Sequence, residues 1–295
     1  MVSYNVQKGE ISMQRQKTDE IAASRSVDAP FDEADFEFRR NFHENVVVER
    51  DVPGRPHQGK VLLLVMVHAD DHSGTGTAAK LIQEGYTGYF VRVTNEDKSL
   101  GGYTVGEAVD LIADDTDQVG KVIGCKKTYN LGYSKHDMED ISIQELRARF
   151  IFLFRLLKVD TVITFDPWSH YEENPDHYWT GRAIEAARWH AGSSKDYPEH
   201  FRAGLKPYSP KERYYFSRGP NLNHYNFTQF NRVVDISSVI EKKINADIAN
   251  KHWGLGRSRD PEDIRKRYMS GGRRRAVAER FGLEHAEFFN YMVRR

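Results

Sequence analysis

Two short segments carry the residue types that could do hydrolytic chemistry. His68-Ala-Asp-Asp71 follows directly on the apolar run Val61-Leu-Leu-Leu-Val-Met-Val67, and Asp166-Pro-Trp-Ser-His-Tyr-Glu-Glu-Asn-Pro-Asp-His177 follows the apolar stretch Val159 to Phe165. Runs of this kind, rich in β-branched residues, predict buried central strands. Open α/β sheets place their ligands beyond the carboxyl ends of such strands. Imidazoles and carboxylates delivered by two strand ends can converge on one divalent metal. A hydrolytic metal site needs about three protein ligands and an open position for water. It also needs a carboxylate off the metal to take the water's proton. Adjacent Asp70 and Asp71 suit that division, because neighbouring residues at a strand end point in different directions. One can ligate while the other faces the water, with His68 and His177 completing the set. Ligands that are all nitrogen and oxygen suit zinc, and also iron or cobalt.

The elements that must position these residues follow from periodicity. From Lys60 onward strand and helix patterns alternate, which predicts an α/β fold with a mostly parallel sheet and helices on both faces. Strands are expected at 61–67, 89–93, 126–130 and 159–165, then at 213–217 and 232–235. Helices are expected at 76–85, 105–118, 143–157, 177–189 and 237–251. Residues 192–211, with three prolines, read as a long loop, and the basic tail 255–295 as one or two helices.

Residues 1–58 form a separate N-terminal extension, polar and ending in the breaker-laden Val52-Pro-Gly-Arg-Pro56. Its first 25 residues are expected to be poorly ordered. Phe31, Phe36, Phe38, Phe42 and Val46-Val-Val48 can dock as an arm on the main body or on a neighbouring subunit, which leaves a homo-oligomer open. Residues 59–295 read as a single domain. Lys plus Arg equals Asp plus Glu, 43 each, so there is no overall basic field for nucleic acid or membranes. Cys125 stands alone, which excludes an internal disulfide and a cysteine-based zinc cluster. No apolar stretch is long enough to span a bilayer, and a cytoplasmic protein is expected.

Several further segments, in order, extend the pattern: Thr94-Asn95-Glu96, Leu131-Gly-Tyr133, Thr164-Phe-Asp-Pro167, Thr180-Gly-Arg-Ala183 and Val234-Asp-Ile-Ser237 leading to Glu241-Lys-Lys243. With Val67-His-Ala-Asp-Asp-His72 and Asn174-Pro-Asp-His177 they span roughly residues 59–252. The ordered set resembles the PIG-L/LmbE superfamily of zinc-dependent N-acetylglucosaminyl de-N-acetylases. The resemblance implies a Rossmann-like (LmbE-like) α/β fold. It implies His68, Asp71 and His177 as ligands to one zinc ion per chain, other divalent metals being possible, and Asp70 as general base. The implied reaction is amide hydrolysis that releases acetate from a small N-acetylated amino sugar or conjugate. Tyr171 falls where some branches of the superfamily stabilise the oxyanion. Four positions depart from the superfamily pattern: Asn174 replaces a histidine thought to stabilise the tetrahedral intermediate or act as acid, His72 replaces a glutamate, Ala69 replaces a proline, and Thr104 stands where a sugar-contacting arginine is expected. Asn174 can donate a hydrogen bond but cannot shuttle a proton near neutrality.

Two other functions use the same residues. In one, the chain is a metal-binding homologue without catalysis, with Asn174 marking the loss. In the other, Gly74-Thr-Gly-Thr-Ala-Ala79 and Glu96 form a loose dinucleotide fingerprint. Against the second, the glycines begin well beyond the strand, and Asp70 and Asp71 would repel a pyrophosphate. Among single residues, Asp176 is expected to cap a helix or orient an imidazole, His136 to be a surface or packing residue, and Trp168 and Trp179 to flank the site.

Overall fold

The computed structural model describes residues 46–168, 172–216, 230–253, 258–270 and 273–294. Eight strands form one sheet: β1 (Val47–Glu49), β2 (Val61–Met66), β3 (Thr87–Thr94), β4 (Lys127–Tyr133), β5 (Thr161–Phe165), β6 (Glu212–Phe216), β7 (Arg232–Asp235) and β8 (Ala286–Val293). Their order is β1-β7-β8-β6-β5-β2-β3-β4, and every pair is parallel except those made by β8. The helices are α1 (Thr75–Gln83), α2 (Val105–Ile123), α3 (Ile143–Leu157), α4 (Pro175–Ala191), α5 (Pro198–Arg202), α6 (Ile240–Ala249), α7 (Pro261–Met269) and α8 (Arg273–Arg280). No helix among the described residues is long and apolar enough to cross a membrane.

The apolar run that becomes β2 is central because it has no polar face to show water: Leu62 through Val67 are fully buried. From β2 the chain steps outward through β3 to β4, then returns to lay β5 on β2's other side. Right-handed crossovers in opposite directions put their helices on opposite faces. Accordingly α1, α2 and α6 pack with one another, while α3 and α4 pack as a separate pair. The direction of winding reverses between β2 and β5, and a crevice opens there beyond the strands' carboxyl ends. His68 and the segment leading to His177 leave the sheet at that crevice.

Local chemistry sets the element ends. Thr104 and Glu107 form a capping box on α2, Glu107 N donating to Thr104 Oγ1 at 3.3 Å and Thr104 N to Glu107 Oε2 at 2.8 Å. Thr104, which stands where a substrate arginine was expected, therefore spends its side chain on the helix. Asn174 caps α4, its Oδ1 accepting the Asp176 N–H at 3.0 Å, with Pro175 at the first helical position. The cap belongs to Asn174 rather than to Asp176.

Two features were not expected from sequence. The tail 255–295 contains helices α7 and α8, but it also inserts β8 antiparallel between β6 and β7. Its pattern Ala-Glu-Phe-Phe-Asn-Tyr alternates only weakly, and tertiary pairing decides its conformation. The stretch 192–211 holds the short helix α5. Within the N-terminal extension, β1 joins the sheet as a parallel neighbour of β7, while residues 1–45, including the phenylalanines of the arm, lie outside the described residues.

The glycines of the loose dinucleotide pattern serve packing. A Cβ on Gly74 would meet Ile163 Cγ2 at 2.7 Å, and one on Gly76 would meet Ile236 Cδ1 at 2.8 Å. Gly181 does the same for α4: its Cβ would lie 2.8 Å from the Phe165 carbonyl oxygen at the end of β5. That close approach seats the helix carrying His177 on the strand end. Gly181→Ala is expected to cost about 1–3 kcal/mol through overpacking, read as a lower urea midpoint with unchanged slope. An unchanged midpoint would show that the helix is free to shift.

Candidate active site

His68 lies just beyond β2, and its ring is held from behind. Nδ1 is 3.0 Å from Thr94 Oγ1 and 3.2 Å from Glu96 Oε1, which leaves Nε2 facing the crevice. His177, in the first turn of α4, is placed in a similar way. Its ring stacks on Phe165, centroids 3.8 Å apart, and Glu172 Oε1 lies 3.0 Å from Nδ1, at an angle short of a hydrogen bond. The two Nε2 atoms face the same side-chain amide: Asn174 Nδ2 is 2.9 Å from that of His68 and 3.4 Å from that of His177. Because Asn174 Oδ1 is fixed on the Asp176 N–H, the NH2 group must point at the imidazoles.

Asp70 and Asp71 diverge as neighbours at a strand end should. Asp71 Oδ2 accepts the Val67 and His68 N–H groups at 3.1 and 2.7 Å, and its Oδ1 lies 3.5 Å from His177 Nε2. Asp70 instead lines a cavity of about 400 Å³ on its other side. Burial first, and then the Asp71 charge, push the Asp70 carboxyl above its ordinary value. A carboxylate so placed accepts a proton more readily than a solvated one.

Glu96 is the hub behind His68. It is fully buried, sits at φ 60°, and its two oxygens receive His68 Nδ1, Ala69 N (3.2 Å), Thr94 Oγ1 (2.8 Å), Ser99 Oγ (2.5 Å) and Lys135 Nζ (2.8 Å). Burial alone would raise its carboxyl. The hydrogen bonds and charges of His68 and Lys135 override that and hold it well below the ordinary carboxylate range. For His68 the balance runs the other way. Burial pulls the imidazole down, but the Glu96 bond and the charges of Asp71 and Glu96 raise it overall. Surroundings that favour a proton on this ring also favour a cation beside it.

These observations test whether the residues fit a metal. Both imidazoles have a carboxylate oxygen at Nδ1 and present Nε2, the arrangement that fixes tautomer and orientation in metal-ligating histidines. Asp71 is anchored through one oxygen and presents the other. The set fits zinc or a similar divalent ion.

Another grouping lies beside it. Ligand-capable atoms of His68, His136 and Asp176 fall within 4.8 Å of one another. Asp176, however, is fully buried with both oxygens taken by backbone, accepting from His136 N at 2.7 Å and Met138 N at 3.2 Å. It clamps the turn after β4 and so holds His136, at φ 63°, with its ring 5.5 Å from that of His68. Nothing in the local sequence around His136 signals this proximity, which comes from the β4 turn folding over α4.

Other expected neighbours of the site separate. Tyr171 lies outside the described residues. Trp179 donates Nε1–H to the Ile141 carbonyl and packs on the core, whereas Trp168 is half-exposed, edge-on to Tyr215. Asp166 forms an Asx-type turn onto Trp168 N at 2.8 Å. Glu96, the ribose-binding acid of the dinucleotide pattern, is sealed under Lys135 and Ser99 and offers no oxygen to a ribose. Glu172 went unnoticed in the sequence, its role visible only once α4 is placed.

Residues 63–188 match the model of the PIG-L family, described as GlcNAc-PI de-N-acetylase. The chain's similarity to the PIG-L/LmbE superfamily thus covers the segment that carries His68, Asp71 and His177. Diacetylchitobiose deacetylase of Thermococcus kodakarensis is 29% identical over 213 residues, covering 70% of this chain and 72% of that protein. The crystal structure of N,N'-diacetylchitobiose deacetylase from Pyrococcus horikoshii superposes with a TM-score of 0.65 at 22% identity, covering 90% of this chain and 93% of the other. GalB of Pseudomonas putida, a 4-carboxy-2-hydroxymuconate hydratase, gives 0.62 at 18% identity over 80% and 97% of the two chains. The same fold therefore carries more than one reaction, and this chain's chemistry has to be argued from its site.

Glu96→Gln should leave Lys135 buried without its counter-charge and cost about 3–5 kcal/mol at neutral pH. Since the folded-state pKa is depressed, Glu96's contribution is full above about pH 4.5, the ordinary value, and is lost as pH falls below it. Urea unfolding of wild type and variant should therefore differ most at pH 7 and converge in acid. A gap independent of pH would contradict the ionised hub.

Proposed function

We propose that this protein is a metal-dependent de-N-acetylase that hydrolyses the acetamide of a small N-acetylated amino sugar. The observation that carries this is the convergence of His68 Nε2 and His177 Nε2 on one point, with Asp71 beside them, buried carboxylates at both Nδ1 atoms and a separate carboxylate, Asp70, held off the set. The PIG-L match and the deacetylase relatives support the same reaction class. His68, Asp71 and His177 would hold one zinc ion or similar divalent metal per chain. Such an ion, when bound, supplies Lewis acidity to a carbonyl oxygen and acidifies water.

The protein's own groups then have defined work. Asp70 takes a proton from the attacking water as its oxygen adds to the amide carbon. The same carboxyl returns that proton to the nitrogen as the C–N bond breaks, giving acetate and a free amine. With aspartate on both transfers, the imidazole missing at position 174 is not required. Asn174 Nδ2 is aimed by its cap bond into the point where the two imidazoles meet. It can donate to the oxygen on which negative charge develops. Asp71 and the two histidines are kept from drifting by backbone N–H groups, Glu96 and Glu172. Asp70's environment speaks for catalysis over simple metal binding, since a binding site has no use for a carboxylate held off the ligand set with its proton affinity raised.

Elemental mass spectrometry should find about one transition metal per chain in the wild type and little in His177→Ala. Asp70→Asn should keep the metal and lose about 10²- to 10⁴-fold in amine release from N-acetylated sugars. Absence of metal from the wild type after zinc is added back would sink the proposal. Metal loss in Asp70→Asn with activity surviving would reverse the roles of the two aspartates.

A further inference from the structure

One imidazole at the crevice has no part in the proton transfers. His136, in the turn after β4, is exposed, and among the described residues its ring makes no hydrogen bond. The ring lies beside that of His68, centroids 5.5 Å apart. A ring nitrogen of His136 comes within 4.8 Å of a ring nitrogen of His68. Asp176 fixes the side of approach. Its Oδ2 accepts the His136 N–H at 2.7 Å and stands 3.4 Å from His68 Nε2. His136 is therefore held on the Nε2 side of His68, which Asn174 Nδ2 approaches at 2.9 Å, and not on the Nδ1 side filled by Thr94 and Glu96.

The surroundings enforce this placement. His136 adopts φ 63°, a left-handed backbone uncommon for a residue with a β-carbon. Strained positions of this kind persist where the neighbouring structure over-determines them, and they cluster at functional sites. Here both flanking residues are tied to the turn after β3. Lys135 N donates to Asp97 Oδ1 at 3.0 Å, and Lys135 Nζ donates to Glu96 and Ser99. Asp137 Oδ2 pairs with Lys98 Nζ at 2.5 Å. An exposed ring adds little to packing, and a glycine would adopt the same backbone without strain. What the histidine adds is a polar group. An imidazole carries an N–H donor whether neutral or charged, and in the neutral ring either nitrogen can hold that proton. An oxygen at hydrogen-bonding distance, about 3 Å, from each fits between two nitrogens no more than 4.8 Å apart.

We propose that His136 is a catalytic residue that donates a hydrogen bond, together with Asn174, to the amide oxygen as negative charge develops there. The inference rests on the deacetylase reading and deepens it. As the water oxygen adds to the amide carbon, the carbonyl π pair moves onto the oxygen, which receives both N–H groups. When the C–N bond breaks, that pair returns to re-form the carbonyl of acetate. His136 keeps its proton throughout, and both proton transfers stay with Asp70. The two donors come from different elements, Asn174 from the start of α4 and His136 from the β4 turn. Asp176 couples them, accepting the His136 N–H while giving its own N–H to Asn174 Oδ1 at 3.0 Å.

The test compares wild type, His136→Ala and His136→Gln as full-length, zinc-loaded proteins. Amine release is followed from N-acetylglucosamine and N,N'-diacetylchitobiose. Calorimetry gives the affinity for the methylphosphonamidate of glucosamine, whose tetrahedral P–O⁻ stands where the charged oxygen forms. His136→Ala should lower kcat about 10²- to 10³-fold, the cost of one oxyanion donor, with KM little changed. His136→Gln, which keeps an N–H donor and cannot titrate, should recover most of that loss. Affinity for the phosphonamidate should fall in His136→Ala in step with kcat/KM, while affinity for the product glucosamine holds. Metal content and urea midpoint should match wild type in both variants, since the ring is exposed. A kcat near wild type in His136→Ala, or a loss that His136→Gln does not recover, would overturn the donor role. Loss of metal in His136→Ala would make the residue a ligand and overturn it too. A wild type that releases no amine would remove the deacetylase reading. The phosphonamidate then decides separately, its affinity depending on His136 if the donor pair is right and indifferent to it if not.

Discussion

The ionised carboxylate of Glu96, buried under five donors, is the constraint on which the rest of the site depends. It ties the end of β2 through Ala69 N and His68, the end of β3 through Thr94, the following turn through Ser99, and the turn after β4 through Lys135. A buried charge persists only when it is paired and hydrogen-bonded on all sides. Its partners are therefore not free to move independently. Glu96 pays for this with a left-handed backbone, which is uncommon for a residue with a β-carbon. His68 is one of the five donors, so its orientation is settled by the fold before any ion or substrate arrives.

A second consequence concerns charge on the opposite side. Asp71, Asp176 and Glu172 surround the two imidazoles, and all three carboxylates accept backbone N–H groups, which fixes them in place. The crevice is thus lined with carboxylate oxygens around imidazole nitrogens, a donor set suited to a divalent cation. Asp70 is spared from this work. Among the described residues no hydrogen bond or ion pair commits it, and burial beside Asp71 raises its proton affinity. Two adjacent, chemically identical residues acquire different surroundings from the direction each leaves the strand.

Much of this was legible in the sequence because it rests on short-range rules. The unbroken apolar run of β2, the strand–helix alternation and the Pro175-Asp176 start signal of α4 each follow from local pattern, and they suffice to place His68 and His177 at neighbouring strand ends. The ordered motifs then carry the resemblance to the superfamily whose family model matches residues 63–188. What was not legible came from contacts between segments far apart in the chain. β8 is a strand because two strands flank it, not because its residues alternate cleanly. His136 stands beside His68 because Asp176, forty residues later, holds its backbone N–H. Thr104 shows the converse, since a position assigned by resemblance to substrate contact turned out to follow the ordinary grammar of helix capping.

The division between the 63–188 segment and the tail has a physical logic. Chemistry at an amide needs a few atoms held to within tenths of an ångström, and that demand is met where strands of the central sheet end. Recognition of the rest of a substrate needs a wall at a distance from the reacting atoms, and it tolerates different architectures. Here α6 to α8 and β8 form the far side of the cavity beside Asp70, and β8 anchors it into the same sheet through β6 and β7. Glu287, at the start of β8, accepts the Gly76 and Thr77 N–H groups of α1 at 3.1 and 2.8 Å while pairing with Lys243 of α6. The tail's register is thereby set against the first helix after the His68 turn. The far side of the cavity beside Asp70 is therefore held at a fixed distance from the His68 turn by the same contacts that fix the register of β8.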